Sequence, residues 1–518
     1  MDKKADFIFL PEQIFNREFV LTAIAAKFKV SVQDIEDYRI LRRSIDARKS
    51  VKFNIRLEFI LKGELFTDEK INFDFKNVQN SSEVIIVGAG PTGYFAALTC
   101  LQKGLKPIVI ERGKPINERK HDIALINREQ VINPESNYAF GEGGAGTYSD
   151  GKLYTRSKKR GDNLEVLQLL NYFGASNDIL IDAHPHIGTD KLPSIMKNIR
   201  TKIINCGGEV HFNTKIIDFG IENNSVKSLI CEDGKEFITN NVILATGHSA
   251  RDIYGILYER NVKLQEKGFA MGIRVEHPQA LIDSIQYKRK ERGEYLPAAT
   301  YNLVTQVENR GVYSFCMCPG GTIVSAATDA KQIVVNGMSN SIRNSPFANS
   351  GIVVELQPED FANYSENKIL SGLEFQKTLE QMTYQNSASG LRAPAQRLND
   401  FIKGRISIGL PESSYYPGLI NSPLHFWLPD IISSKLRMAF KEFDKRMKGF
   451  VTDEAIVVGV ESRTSSPIQI VRDKATLESV SLKGLYPCGE GAGYAGGIVS
   501  SAIDGVQVVK SISAKLNN

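Results

Sequence analysis

The 518 residues are 24% charged and 42% hydrophobic with a formal net charge of +5, enough apolar material for at least one large core and too much for a disordered chain. So small a charge surplus excludes the global basic field of a dedicated nucleic-acid binder, although a local patch is compatible with it. Two or three domains are expected at this length.

At the start, Lys3 and Lys4 precede an apolar stretch of only residues 7–10, shorter than the roughly 7 to 15 residues of a signal-peptide core. No segment approaches the roughly 18 apolar residues of a membrane span, so a cytoplasmic protein with no membrane partner is expected. Cys100, Cys206, Cys231, Cys316, Cys318 and Cys488 form no CxxC pair, which argues for reduced thiols rather than a disulfide framework or a zinc ribbon.

Residues 1–80 read as a small α+β module. Residues 15–29 are helical in pattern, with Phe19, Ala23 and Ala26 as inward candidates, and Ser31 is placed to cap a second short helix. In residues 51–61, apolar Val51, Phe53, Ile55, Leu57, Phe59 and Leu61 alternate with polar neighbours, the period of a strand with one buried face. Arg39, Arg42, Arg43 and Arg56 make its strands basic, an RNA or partner surface or, more simply, a solvated face diluted by Asp34, Glu36 and Asp46. Residues 76–83 are polar and aperiodic, a linker in pattern.

The character then changes. An apolar strand at 84–87 runs into Gly88-Ala89-Gly90-Pro91-Thr92-Gly93, followed by a helix over 94–102, a turn at Gly104 and a second strand over 107–110 that ends in Glu111. Gly88 permits the tight strand-to-helix turn, Gly90 lets a diphosphate approach the backbone, and Gly93 lets the helix pack on the strand. The helix N-terminus offers its N–H groups and positive dipole end to the phosphates, and Glu111 is placed to accept from a ribose diol. NAD and FAD both satisfy this unit.

Distant segments add to it. Residues 141–152 are glycine-dense and suited to close backbone approach by a ligand. A strand at 242–244 ends in Ala245-Thr246-Gly247, and residues 484–493 lead to Gly496-Gly497-Ile498 at the head of a helix containing Ser500, Ser501 and Gly505. That helix presents a second N-terminus, so one nucleotide site is completed from both ends of the chain. Between 261 and 450 the pattern shifts to longer polar strands, turns and a helix over 433–447, an inserted second lobe. The expected division is therefore 1–80, 83–260, 261–450 and 451–518, the second and last making one nucleotide-binding domain.

Taken together, the GxGxxG, the acidic end of the second strand, the strand ending in ATG and the C-terminal GLYPCGEGAGYAGGI resemble the FAD-binding fold of the glutathione-reductase superfamily, in its branch with a single Rossmann domain. Most closely the chain resembles a family of bacterial FAD-dependent dehydrogenases of unassigned substrate, which shares the GEGGAGTYSDGKL, HPHIGTDKL, GIRVEHPQ, CMCPGG and VESRTSSP segments and a small N-terminal module. The resemblance implies a Rossmann-type α/β FAD-binding domain with an inserted α+β substrate lobe.

It also implies roles. Gly88, Gly90, Pro91, Thr92 and Gly93 would cradle the pyrophosphate, and Glu111 with Arg112 would hold the adenosine end. Gly143, Gly144, Gly146 and Ser149 would line the flavin side. Ile216 would offer backbone to the adenine, and Thr246 with Gly247 would pack against the cofactor. Gly489 and Glu490 would meet the ribityl chain or pyrophosphate, with Gly497 and Ile498 under the pyrimidine edge. Glu490 departs from the superfamily's usual Asp, which displaces its ribityl contact by a methylene.

Absences narrow the reaction. There is no second strand-GxGxxG-helix unit for a separate NAD(P) domain, no CxxC for dithiol exchange, and no His in the 141–151 loop for a covalent flavin link, so FAD is expected to be noncovalent. Flavin performs the electron chemistry, and the protein positions substrate and controls charge. The catalytic candidates are Glu461 and Arg463, just before the C-terminal FAD segment, and His248 after the ATG turn; each also has a structural reading as an ion pair or a cap. Arg274, Glu276 and His277 read as an exposed strand end, Cys316 and Cys318 as one face of a strand before a Pro319-Gly320-Gly321 hairpin turn, and His184 and His186 as loop residues. The expected function is an FAD-dependent dehydrogenase or reductase acting on a small organic substrate, with NAD(P)H as a transient reductant. The alternatives are a flavin monooxygenase, or an RNA-associated scaffold protein in which FAD is structural.

Overall fold

Alternation of period two builds the first sheet of the computed structural model, which describes residues 3–67, 72–154, 161–387 and 390–516. β1 (Lys4–Phe9), α1 (Arg17–Phe28), β2 (Ile35–Asp46) and β3 (Lys52–Leu61) form an antiparallel sheet of order β1-β3-β2 with the helix on one face. Phe53, Ile55, Leu57 and Phe59 are all buried on that face, as the alternation predicts. Asn16 caps α1 by accepting from the Phe19 N–H at 3.1 Å, and Ser31 accepts from Gln33 N–H to open a single 3-10 turn. The cap sets the helical phase so that Val20, Ile24 and Ala25 point inward, whereas Phe19 and Ala26 are exposed.

The module does not close a core of its own. Phe9, Val20, Phe53 and Phe59 belong to the same apolar cluster as Phe269, Ile352 and Phe440 of the second lobe, and Phe15 stacks on Tyr295 with centroids 5.3 Å apart. The linker is likewise fastened: Val78 is fully buried and donates its N–H to Cys206 O at 2.8 Å.

The first domain continues with β4 (Glu83–Val87), α2 (Pro91–Lys103), β5 (Lys106–Ile110), α3 (Ile116–Glu129), α4 (Leu192–Asn205) and β6 (Glu209–His211). A separate antiparallel sheet of β7 (Ile216–Glu222), β8 (Ser225–Cys231) and β9 (Glu236–Ile238) precedes β10 (Val242–Leu244) and α5 (Arg251–Glu259). The second lobe holds β11 (Leu264–Glu266), β12 (Phe269–Pro278), β13 (Val304–Val307), β14 (Arg310–Cys318), β15 (Gly321–Ser325), β16 (Val335–Ser339), β17 (Phe347–Leu356), α6 (Ser371–Gln385), β18 (Ala393–Arg397), β19 (Leu419–Asn421), α7 (Asp430–Arg446) and β20 (Ile456–Glu461). The chain returns through β21 (Ile468–Ile470), β22 (Leu485–Pro487) and α8 (Ile498–Leu516).

The first domain's main sheet is parallel, in the order β22-β10-β4-β5-β6, so the chain leaves β4 in one direction and resumes on its other side, a topological switch point. The second lobe is a seven-stranded mixed sheet, β13-β14-β17-β12-β20-β18-β19, with α7 on one face and the β15–β16 hairpin on the other. β20 sits inside this sheet between β12 and β18, so a lobe boundary at 450 is too early. Among the described residues no helix is long and apolar enough to cross a membrane.

Three local expectations fail where strand pairing decides them. Arg274, Glu276 and His277 are buried, because β12 is a central strand with neighbours on both sides. Cys316 has a positive φ of 48° at a bulge in β14, so the two cysteines leave a common face: Cys316 is exposed and Cys318 buried. Pro319-Gly320-Gly321 does not close a hairpin, since β15 leaves β14 to pair with β16.

Candidate functional site

The glycines of the first motif divide into two kinds. A Cβ on Gly93 would lie 1.9 Å from Gly88 O, and one on Gly88 (φ 109°) 2.7 Å from Ala245 O, so both positions are closed by packing. A Cβ on Gly90 would meet only Gly144 Cα, at 4.0 Å, and at Gly247 and Gly496 it would meet nothing within 4 Å. The open positions mark a cradle at the carboxyl ends of the parallel strands, above an α2 N-terminus that no side chain caps. The glycine loop bends over it: Gly143 N–H donates to Ala89 O at 2.8 Å, Gly144 lies against Gly90, and Gly146 sits between Pro91 and Ile498, at the head of α8. Segments far apart in sequence thus meet around one space, and open glycines beside free helix N–H groups fit the diphosphate of FAD.

Several of the other expected cofactor residues already carry duties within the chain. Glu111 accepts from three backbone N–H groups, those of Ala89, Gly113 and Gly141, each at 2.9 Å, which leaves it about one acceptor site for a ribose hydroxyl. Arg112 is shared between Glu135 (2.7 Å) and a bidentate pair with Asp252, and it lies over the Phe140 ring. Ser149 is spent on a local turn, donating to Gly146 O and accepting from Gly151 N–H. Ile216 is buried at the start of β7, outside the parallel sheet. Gly489 packs against Thr92, and Gly491 against Thr246 and Gly247. Gly497 has a positive φ of 149°, and a Cβ there would meet only Ser500 Oγ at 4.0 Å.

Sequence reasoning missed the residues that hold this loop. Arg119, on α3, is completely buried and donates to the carbonyls of Asn137, Tyr138, Gly141, Glu142 and Gly144. Glu142 is equally buried and accepts from the Tyr94 hydroxyl and the Ile116 N–H, with Arg200 3.3 Å away. Asp504, on α8, accepts from Gly489 N–H at 2.7 Å and pairs with Arg472. An arginine in a charged amphipathic helix gives no sign in sequence that it faces inward, so no local signal marked Arg119.

The catalytic candidates separate into two ion-pair systems and a third, looser pair. Glu461 does not pair with Arg463; it accepts from Arg274 Nε at 2.8 Å, both side chains being sealed, and Arg274 also donates to Asn336 and Asn349. Burial pushes the Glu461 carboxyl up in spite of Arg274. Arg463 belongs to a second layer: Glu380 lies between Arg251 and Arg463, accepts also from Ser462 Oγ, and Arg463 reaches Ser249, Thr328 and Gln332. Burial would raise the Glu380 carboxyl, but the two guanidiniums outweigh it and hold it at about 2. His248 brings Nδ1 to 3.5 Å from Glu490 Oε1, with no hydrogen-bond partner for that nitrogen.

The remaining shared segments converge between the loop and the second lobe. Asp150 pairs with Arg343, Lys152 donates to Met317 O, Thr189 donates to Thr147 O, and His186 Nε2 meets Ser341 O at 3.1 Å. Burial pushes Asp150 up, yet Arg343 and Lys152 bring its carboxyl below the usual range. His184 packs edge-on against Tyr154. Among the described residues there is no group of three or more acidic, His or Cys side chains that could hold a metal ion.

Comparison with known proteins bears on the second lobe first. Residues 268–464 match the family described as FAD-dependent protein, C-terminal domain-like, and residues 1–60 match a domain of unknown function. An uncharacterised protein of Clostridium beijerinckii is 41% identical over 514 residues, covering 95% of each chain. Solved structures with partial likeness include the flavin-dependent brominase Bmp2 (TM-score 0.38, 13% identity, 85% of this chain and 80% of that one) and a flavoprotein/dehydrogenase from Cytophaga hutchinsonii (TM-score 0.36, 11% identity, 85% and 79%). Glycine oxidase from Bacillus cereus is another, at TM-score 0.32 and 13% identity over 84% and 96%. The chain therefore belongs to the same family as the Clostridium beijerinckii protein, and its residues 268–464 carry the domain described as FAD-dependent protein, C-terminal domain-like.

Proposed function

We propose that the protein is an oxidoreductase of the glutathione-reductase superfamily type, a dehydrogenase or reductase that binds FAD noncovalently and takes a small organic substrate beneath its second lobe. The observation that carries this reading is the set of open glycines, Gly90, Gly247 and Gly496, around an uncapped helix N-terminus at the switch point of a parallel sheet. Bound there, FAD supplies hydride exchange at flavin N5, with NAD(P)H as the proposed electron donor. The chain's own residues do the rest. The α2 N-terminus binds the phosphates, and Arg119 orients the glycine loop by tying its carbonyls down. Glu380 balances the Arg251 and Arg463 guanidiniums beside the His248 turn, and the unpartnered Nδ1 of His248 holds or passes a proton toward Glu490.

The test is anaerobic mixing of the purified protein with NADH, NADPH and a panel of small hydroxy, amino and enone metabolites while following flavin bleaching. Reduction by a nicotinamide donor, and reoxidation or reduction by one metabolite class, is expected. Stoichiometric FAD that no donor reduces overturns the oxidoreductase reading, and a folded, colourless protein that ignores added FAD overturns the site.

A further inference from the structure

The basic run of β2 contains a residue that reaches out of its own module. Arg43 donates from Nε and Nη2 to the two carboxylate oxygens of Asp182, at 2.7 and 3.1 Å, and from Nη2 to Asp178 at 3.0 Å. Its carbonyl accepts from Ala183 N–H at 2.9 Å. A fork on both oxygens fixes direction as well as distance. The residues it grips open a strap, 182–190, that runs between the first domain and the second lobe.

The strap carries the end of the glycine loop. Leu153 N–H donates to Pro185 O at 2.9 Å and Ile187 N–H to Gly151 O at 3.1 Å, on either side of a bridge between Lys152 and His186. A Cβ on Gly151 would lie 3.0 Å from Gly188 N, so backbone meets backbone with no side chain between them to absorb a shift. Farther on, Thr189 N–H donates to Ser339 O on β16 at 2.9 Å, Thr189 Oγ1 donates to Thr147 O at 3.2 Å, and Asp190 accepts from Ser341 N–H at 2.6 Å. So short a pairing is too weak to hold its own geometry, which is therefore set at the ends of the strap. The second lobe sets the far end, and Arg43 sets the near one.

We infer that Arg43 is a positioning residue for the flavin-side loop: from outside the site it fixes the strap that fixes residues 147–153, and through them the fit of the loop over FAD. The inference rests on the FAD reading for what the loop covers. Amide exchange followed by mass spectrometry, with FAD in excess, and the rate of FAD release test it on the full-length holoprotein. Arg43→Gln should speed exchange about tenfold in peptides covering 147–153 and 183–187, leave the Gly88–Gly93 turn at the parent's rate, and speed FAD release about fivefold. Asp182→Asn should reproduce both changes, and the double variant should add little to either, because the two side chains act as one pair. Exchange that rises equally along the whole chain reduces Arg43 to a stability brace and overturns the inference, as does FAD release at the parent's rate. Unchanged exchange with FAD still bound sinks the strap and leaves the cofactor site standing. A folded protein that takes up no FAD sinks the cofactor site, and the inference with it.

Discussion

The open-glycine cradle and the charged layers of the second lobe put backbone and side chain to opposite uses. In the cradle, Gly90, Gly247 and Gly496 stand where a side chain would meet almost nothing, next to a helix N-terminus that no side chain caps. In the lobe, Arg274, Glu461 and Glu380 are sealed from water, and each is satisfied by another side chain. The first region depends on what is missing at a few positions, the second on full complements of partners. A recognition surface tolerates openness because a ligand completes it, whereas buried ions have only each other.

The sharpest break in that comparison lies inside one motif. Gly93→Val should prevent folding, since its Cβ would collide with Gly88 O at 1.9 Å, while Gly90→Val should fold and melt like the cofactor-free parent yet lose FAD. Visible flavin absorbance and the thermal midpoint of the apoprotein check the pair, and FAD retained by Gly90→Val would refute the cradle. Next in size, Glu380→Gln leaves two guanidiniums facing a neutral amide and should cost about 3–5 kcal/mol in urea unfolding. An equilibrium shift below about 1 kcal/mol would mean that the layer is wet.

A smaller effect appears with pH. Burial holds His277 down at about 4, whereas in the unfolded chain it titrates near 6.5. Between these values the unfolded chain binds a proton that the folded one refuses, so the contribution is whole above 6.5 and falls by about 3 kcal/mol as pH drops to 4. Glu380 adds a loss of the same sign at lower pH, below the ordinary carboxylate range. His277→Gln should flatten the thermal midpoint between pH 6.5 and pH 5, and an unchanged slope would remove His277 as its source.

The same contrast explains what could be read in advance. The strand-turn-helix at Gly88–Gly93 is legible because neighbours along the chain supply every part, whereas the meeting of 141–149 with Ile498 was implied by the family resemblance and by no local pattern. The packed state of Arg274 was not, because it depends on β17 and β20 flanking β12, pairings made with residues about 75 and 185 positions away. Arg119 was invisible for a related reason: the carbonyls it serves belong to a loop whose path no local pattern prescribes. Glu111 illustrates the middle case, its location foreseen and its three backbone duties not.

The cluster that joins Phe9, Val20 and Phe53 to Phe269 and Phe440 bears on how the chain can be dissected. Cutting after residue 80 would strip a wall from both pieces, leaving a fragment with a bare greasy face and a remainder with a matching wound. Truncation experiments would then report aggregation instead of biology, and a search for RNA affinity has to be run on the uncut polypeptide, with charge substitutions such as Arg42→Gln standing in for deletion.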